Sequence, residues 1–150
     1  MSKIVTKFVE CYIILRINKT VKYLLLKRSK DVDVYPGIWQ PVTGRIDRGE
    51  KAYETALREL KEETGLNYLN FYIVNTINEF YLANSDSIHL VPVFLAEVAE
   101  DKVRISSEHS EYQWLTEKEA VKKLYWQSQK DILKSINKNL KNKTYIKKIL

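Results

Sequence analysis

The chain has 150 residues, of which 45% are hydrophobic and 29% are charged, and its formal net charge is +6. This length fits one domain with its own core, and the composition excludes a largely disordered or fibrous chain. The apolar runs are too short to span a bilayer and the first residues lack the order of a signal peptide, so we expect a cytoplasmic protein that does not enter membranes.

The N-terminal part of the chain predicts a β-hairpin. Two β-branched and aliphatic runs, residues 5–17 and 21–27, flank Asn18-Lys19-Thr20, which is typical of a turn. The single cysteine, Cys11, lies in the first run and excludes an internal disulfide. We expect Cys11 to occupy a strand position and not to act as a nucleophile.

A polar loop follows the hairpin and leads into a second extended segment. Residues 29–36 are polar, Pro36-Gly37 closes the loop, and residues 38–42 resume an extended pattern. Arg28 precedes this loop and is a candidate phosphate contact, because a guanidinium is bidentate and always charged; an exposed arginine at a strand end is the alternative. Trp39 offers a flat surface for a ring, but we assign it mainly to packing.

Residues 51–64 predict a helix that follows a loop rich in glycine and acid. No glycine or proline interrupts this run of helix formers, and Gly65 ends it. At about 100° per residue, the helix has an apolar face and a neighbouring acidic face. The apolar face contains Tyr53, Ala56, Leu57 and Leu60, and the acidic face contains Glu59, Glu62 and Glu63.

The acidic face predicts a metal site. Glu59 lies three and four positions from Glu62 and Glu63, which costs roughly 0.2–0.5 kcal/mol per like-charge pair. Arg58 can pair with Glu54 or Glu62, which leaves Glu59 and Glu63 without a matching cation. Mg²⁺, or Mn²⁺ as a substitute, would relieve this repulsion, and Mg²⁺ completes its shell with water and substrate phosphates. A solvated helix face is the alternative interpretation.

The spacing of residues 44–66 resembles the Nudix box, G-x5-E-x7-R-E-U-x-E-E-x-G-U, in which U is aliphatic. The matching residues are Gly44, Glu50, Arg58, Glu59, Leu60, Glu62, Glu63, Gly65 and Leu66. The resemblance to Nudix hydrolases implies an α/β fold, an α/β/α sandwich around a mixed sheet, and we expect residues 1–150 to form one such domain.

The same resemblance implies roles for the box residues. Glu59, Glu62 and Glu63 would be metal ligands, with the carbonyl oxygen of Gly44 completing the set. Glu50 and Arg58 match positions that brace the loop and orient the helix carboxylates. We therefore count Glu59, Arg58 and Glu50 among the catalytic candidates.

The second half of the chain predicts more strands and two helices. Thr116 and Glu119 form a capping box that begins a helix, and another helix begins near Ser128. The strand-like stretches are residues 68–81, 89–98 and 111–115, with residues 103–105 as a short extended segment. Strands before, between and after helices suggest a mixed sheet covered on both sides.

Two further stretches resemble the dATP pyrophosphohydrolase and dihydroneopterin triphosphate pyrophosphatase branch of the family. They are IWQPVTG, which contains Trp39 and Gln40, and SSEHSEYQWL, which begins at Ser106. We count Trp39 and Gln40, together with Arg28, as candidate substrate contacts. In the second stretch the resemblance implies that Glu108 is a further metal ligand and candidate general base, on a loop that closes when substrate is present. His109 is expected to orient or pack, and Glu111 to be an ordinary surface acid.

The C-terminal segment carries the excess positive charge. Residues 130–150 hold seven of the 25 basic residues and one of the 19 acidic residues, so the rest of the chain carries 18 of each. Ile132, Leu133, Ile136 and Leu140 recur at helical spacing, which predicts an amphipathic helix whose lysines face water. We expect Lys141, Lys143, Lys147 and Lys148 to form a frayed tail. Binding of nucleic acid or another anionic surface is the alternative.

Together these observations predict Mg²⁺-dependent hydrolysis of a nucleotide or pterin triphosphate to the monophosphate and pyrophosphate, by a monomer or a homodimer. Two alternatives stay open. One is the same chemistry on dinucleoside polyphosphates, nucleotide sugars or capped RNA. The other is a non-catalytic module that binds nucleotides or RNA.

Overall fold

The computed structural model describes residues 1–143 and 146–149. Within them, nine strands join in one sheet and three α-helices pack against it. The strands are β1 (Lys3–Val5), β2 (Phe8–Ile17), β3 (Thr20–Arg28), β4 (Trp39–Gln40), β5 (Val42–Arg45), β6 (Tyr68–Leu82), β7 (Ser87–Val98), β8 (His109–Leu115) and β9 (Ile146–Lys148). The helices are α1 (Ala52–Thr64), α2 (Glu117–Lys123) and α3 (Gln127–Asn142), and a 3₁₀ turn spans Ala83–Ser85.

The sheet is mixed, as the alternation of strands and helices predicted. Its main path runs β4-β3-β2-β7-β6-β9, with β1 also pairing with β7, β5 with β2 and β8 with β3. β7 lies parallel to β1 and to β2, and the remaining neighbours are antiparallel. The predicted hairpin of β2 and β3 is confirmed, and Asn18 supplies the positive φ of 57° at its turn.

Alternate residues of β2 face two separate cores. Cys11 and Ile13 pack with Ala56 and Leu60 of α1, whereas the intervening Tyr12 packs with side chains of α2 and α3. The sheet is therefore covered on both sides, which confirms the α/β/α sandwich. Complete burial raises the pKa of the Cys11 thiol to about 12, which suits a core residue and not a nucleophile.

The helix ends agree with the sequence signals. α1 ends at Gly65, whose φ of 72° is the left-handed conformation that glycine adopts most easily. The hydroxyl of Thr116 accepts a hydrogen bond from the Glu119 amide, and the Glu119 carboxylate accepts one from the Thr116 amide, so the predicted capping box is present. α3 buries Ile132, Leu133 and Ile136, as its amphipathic pattern predicted.

Two sequence predictions differ from the structure. Residues 103–105 form no strand, although β8 begins soon afterwards at His109. The segment that includes Lys147 and Lys148 is not a frayed tail, because β9 pairs antiparallel with β6 and Lys147 lies opposite Ile73. The backbone of β6 offers hydrogen-bonding groups at the sheet edge, and a short strand satisfies them.

In the described part of the chain, every helix is too short or too polar to cross a bilayer.

Candidate active site

Arg58 and Glu50 form a bidentate ion pair that joins α1 to the loop before it. The Nε atom of Arg58 lies 2.8 Å from one carboxylate oxygen of Glu50, and Nη2 lies 3.0 Å from the other. Thr55 and the backbone amide of Asp47 also donate to Glu50, at 2.5 and 3.2 Å. Hydrogen bonds from Arg58 and then Thr55 lower the pKa of Glu50 to about 2, so this carboxylate is ionised at neutral pH.

The remaining donors of Arg58 reach the acidic face of the helix. Nη1 donates to Glu59 at 2.8 Å and to Glu62 at 3.2 Å, and Nη2 donates to the carbonyl oxygen of Arg45 at 3.0 Å. The prediction that Glu59 lacks a cationic partner was therefore wrong. Adjacent helix positions point about 100° apart, but the long arginine side chain folds back along the helix and contacts the carboxylate beside it.

Glu59 lies almost buried against the backbone of Gly44. Burial raises the pKa of Glu59 to about 7, with the charges of Glu63 and Glu62 adding to the effect and Arg58 opposing it. A Cβ atom at Gly44 would lie 2.5 Å from the Glu59 carboxyl carbon and 2.7 Å from its Oε1. Any residue other than glycine at position 44 would therefore displace this carboxylate.

Glu63 is held by residues of the loop before β8. Its Oε2 lies 2.6 Å from Nδ1 of His109 and accepts a hydrogen bond from Ser106 at 3.1 Å. Burial would raise the pKa of Glu63, but the contacts with His109 and Ser106 outweigh burial and lower it. The prediction that Glu63 lacks a partner was wrong, because sequence spacing does not show a histidine that arrives from another strand. His109 thus contacts a carboxylate, and its expected orienting role stays a prediction.

The loop that carries Glu108 already lies against α1. The Glu108 carbonyl oxygen accepts a hydrogen bond from the Ser29 amide at 2.8 Å, which ties the loop to the end of β3. The negative charge of Glu63, followed by burial, raises the pKa of Glu108, so the two carboxylates are close neighbours. That this loop closes once substrate is present stays a prediction. Glu111 is a surface acid that pairs with Lys27 at 3.0 Å.

The donor set fits a hard divalent cation. Glu59, Glu62, Glu63 and Glu108 supply neighbouring carboxylates, and the absent Cβ of Gly44 leaves room for the Glu59 carboxylate against its backbone. In residues 1–143 and 146–149, no three His, Cys, Asp or Glu side chains converge as a finished metal site. Arg58 and His109 instead contact three of these carboxylates.

A cavity of about 370 Å³ lies between the sheet and the start of α3. Gln40 lines it, and so does Thr43, the residue before Gly44 in β5. The other predicted substrate contacts lie elsewhere. Trp39 packs in the second core beneath the Lys123 ammonium, 4.5 Å away, and Arg28 donates to the Val34 carbonyl oxygen at 2.9 Å. The positive charge of Arg28 opposes the rise in the pKa of Glu108, so Arg28 lies near the carboxylates instead.

Several cavity residues were not found from the sequence. Glu10, Asn78, Trp126 and Gln129 come from four separate parts of the chain and meet only in the fold. Of these residues, Glu10 has one sequence feature that could have marked it as unusual, because it is a lone carboxylate inside the apolar run of β2. The others resemble ordinary surface residues in sequence.

Comparisons with known proteins identify the fold and the family of this arrangement. A family model described as NUDIX domain matches residues 8–136. The bis(5'-nucleosyl)-tetraphosphatase [asymmetrical] of Mus musculus is 37% identical over 106 residues, 69% of each chain. The dihydroneopterin triphosphate diphosphatase of Haemophilus influenzae is 29% identical over 141 residues, 86% of this chain and 87% of that one. A protein described as a NUDIX hydrolase from Listeria monocytogenes superposes with a TM-score of 0.78 at 24% identity, covering 93% of this chain and 97% of that one.

The low pKa of Glu50 predicts how the pair with Arg58 responds to acid. The folded-state pKa of about 2 lies below the ordinary value of 4.5, so the contribution of Glu50 to stability is present above pH 4.5 and is lost as pH falls towards 2. We expect Glu50→Gln to lower the free energy of unfolding at neutral pH. The difference in this free energy between the wild type and the variant, here called the gap, should narrow between about pH 4.5 and 2. Urea denaturation across this range measures the gap.

Glu100→Gln is the matched control, because Glu100 is an exposed acid away from this pair. Its free energy of unfolding should parallel that of the wild type at every pH. A gap for Glu50→Gln that stays constant from neutral pH to pH 2 would contradict the role given to the ion pair.

Proposed function

Because this chain belongs to the Nudix hydrolase family, whose enzymes act on phosphoanhydride bonds, we propose a specific reaction for it. The reaction is Mg²⁺-dependent hydrolysis of a (deoxy)nucleoside triphosphate, or of a similar triphosphate such as that of a pterin, to the monophosphate and pyrophosphate. The observation that carries the proposal is a carboxylate cluster fixed by Arg58 and set against Gly44, whose neighbour Thr43 lines a cavity of a size suited to one heterocyclic ring.

The metal would be held by Glu59, Glu62, Glu63, Glu108 and the carbonyl oxygen of Gly44. When bound, such an ion polarises the phosphoryl group and neutralises charge on the leaving pyrophosphate. Mn²⁺ has the same preference for oxygen ligands and should substitute for Mg²⁺.

The protein's own groups then have separate tasks. The bidentate pair of Arg58 with Glu50 keeps the Glu59 carboxylate facing Gly44, and His109 with Ser106 keeps Glu63 beside Glu108. Holding these groups in advance avoids the cost of ordering them during the reaction.

Glu108 is the candidate general base. The neighbouring charge of Glu63 raises its pKa, which makes it a stronger proton acceptor near neutral pH than an ordinary glutamate. In the proposed step a water oxygen attacks the α-phosphorus, the bond to the β-phosphate oxygen breaks, and Glu108 accepts the proton that the water loses. The products are the monophosphate and pyrophosphate.

A second candidate substrate is a dinucleoside polyphosphate. Tyr35, Tyr125 and Trp126 form an exposed aromatic cluster, with ring centroids of Trp126 and either tyrosine 4.8 Å apart. Tyr35 and Trp126 also line the cavity, so the cluster lies at its mouth and offers a surface on which a second base could stack. The name of the mouse relative, a bis(5'-nucleosyl)-tetraphosphatase, points in the same direction.

A substrate panel tests the reaction and separates the two candidates. Purified protein is incubated with deoxynucleoside, nucleoside and pterin triphosphates and with dinucleoside tetraphosphates, each with Mg²⁺, with Mn²⁺ and with a chelator. We expect metal-dependent release of pyrophosphate from triphosphates, at a higher kcat/KM than for the dinucleotides. A higher kcat/KM on dinucleotides would favour the second candidate, and no metal-dependent turnover of any compound would contradict both.

Substitutions in the carboxylate cluster test the division of tasks. Glu59→Gln and Glu63→Gln should lower the rate and raise the Mg²⁺ concentration for half-maximal rate by about tenfold or more, because each removes a charged ligand. Glu108→Gln should lower kcat by roughly 10²–10⁴-fold with a smaller change in Mg²⁺ requirement. Steady-state kinetics at varied Mg²⁺ measure both quantities.

Glu111→Gln is the matched control three residues further along the chain, in β8, since Glu111 pairs with Lys27 at the surface. It should keep wild-type kinetics. If Glu108→Gln kept wild-type turnover across pH while Glu111→Gln lost it, the general base would have been assigned to the wrong glutamate.

A further inference from the structure

One side of α3 presents a row of lysines that the proposed hydrolysis does not use. At about 100° per residue, these lysines fall within a sector of about 80° around the helix. They are Lys130, Lys134, Lys138 and Lys141, here called the lysine stripe. Lys130 is partly buried and the other three are exposed, whereas Leu133 on the far side of the helix packs in the core between α3 and the sheet. The stripe therefore follows the solvent side of α3 for about 16 Å.

Neighbouring acids do not balance the charge of the stripe. Residues 122–143 contain seven lysines and one acid, Asp131. Asp131 accepts a hydrogen bond from Gln127 at 3.0 Å, and within the described residues neither it nor any lysine of the stripe forms a salt bridge. Lysines four positions apart on a helix repel one another. A polyanion that lies along α3 would offset this repulsion.

An exposed aromatic side chain lies just before the start of the stripe. Tyr125 is 58% exposed and follows Lys123 by two residues. Its ring is perpendicular to the ring of Trp126, with centroids 4.8 Å apart, and the Trp126 carbonyl oxygen accepts a hydrogen bond from the Lys130 amide in the first turn of α3. Among the described residues Trp126 lines the cavity and Tyr125 does not, so the Tyr125 ring offers a flat surface outside the cavity.

A row of lysines beside an exposed aromatic ring suits a single-stranded nucleic acid. Lysines neutralise phosphates without reading sequence, and the face of a tyrosine ring stacks on any base. The bases of a duplex are already stacked on one another, so an unpaired strand fits this surface better than a duplex. A membrane surface also fits less well, because the apolar side of α3 packs in the core and cannot enter a bilayer.

We propose that the lysine stripe and Tyr125 form a binding surface for a single strand of RNA or DNA. The phosphates lie along α3 and one base stacks on Tyr125. Neighbouring lysines of the stripe are about 4.5–6 Å apart along the helix axis, and a stacked strand sets one phosphate about every 3.4 Å, so each lysine can contact a separate phosphate. The surface does not depend on the proposed hydrolysis, since most of the proposed metal ligands belong to α1 on the opposite side of the sheet.

The salt dependence of binding tests the role of the lysines. Fluorescence anisotropy with a labelled strand of about 12 uridines gives the association constant at several KCl concentrations, with a chelator present so that no metal-dependent hydrolysis occurs. We expect its logarithm to fall with the logarithm of KCl concentration at a slope of about −3, because each neutralised phosphate contributes about −0.7. Combining Lys134→Gln with Lys138→Gln should reduce the slope to about −1.5.

A second double variant, Lys61→Gln with Lys102→Gln, is the matched control, because it removes the same charge from the other side of the sheet. Lys61 is an exposed residue of α1, and Lys102 is an exposed residue next to Val103, which packs in the core beneath α1. This variant should keep the wild-type slope.

Substitutions of Tyr125 test the stacking contact. Tyr125→Ala should weaken binding by about five- to a hundredfold at every KCl concentration, and it should leave the slope unchanged because it removes no phosphate contact. Tyr125→Phe keeps the flat ring and should keep the wild-type affinity. A thymidine strand of the same length, measured beside the uridine strand, distinguishes DNA from RNA as the source of the shared chemistry.

Several results would overturn the proposal. They are no binding of either strand at about 50 mM KCl, equal slopes for the two double variants, and an unchanged affinity in folded Tyr125→Ala. Binding to vesicles of phosphatidylserine and phosphatidylcholine without binding to either strand would also overturn it, in favour of a membrane surface. Strand binding without turnover of any triphosphate would count against the proposed hydrolysis alone, and turnover without strand binding would count against this proposal alone.

Discussion

The constraint on which the site depends is the repulsion among acids that the box brings together, and Arg58 is the group that offsets it. One guanidinium donates to Glu50 through both carboxylate oxygens, and it also reaches Glu59 and Glu62 and the Arg45 carbonyl oxygen. A lysine could not make these contacts, because a point charge lacks the planar fork that fits a carboxylate. The pair therefore holds the loop before α1, the helix α1 and the proposed metal ligands in fixed positions relative to one another.

The sheet divides the proposed chemistry between its two faces. Alternate residues of a strand point to opposite sides, so Gly44 of β5 meets the helix carboxylates while Thr43 lines the cavity. β2 repeats this division, because Val9 packs in the core beneath α1 and Glu10 lies in the cavity floor. Two adjacent strands thus connect the carboxylate cluster on one face of the sheet with the cavity on the other.

Local signals explain what could be predicted from the sequence. The capping pair of Thr116 and Glu119 and the stop at Gly65 act over a few residues, and both lie where the pattern placed them. The contact of His109 with Glu63 spans 46 positions and depends on where β8 begins relative to α1, so spacing within the helix could not show it. The burial of Glu10 could not be predicted for the same reason, since its partner Asn78 lies 68 positions away and an acid in a strand is ordinarily exposed. The roles of the individual carboxylates rest on the resemblance and on the proposed chemistry.

A double-mutant cycle on Glu50 and Arg58 tests most directly whether their pair organises the metal ligands. The Mn²⁺ affinity of the wild type, Glu50→Gln, Arg58→Lys and the double variant is measured by electron paramagnetic resonance, without any substrate. We expect strong coupling between the two residues, of about 0.5–3 kcal/mol, so that the double variant loses little more affinity than the worse single variant. Losses that simply add, or single variants that keep wild-type affinity, would contradict it.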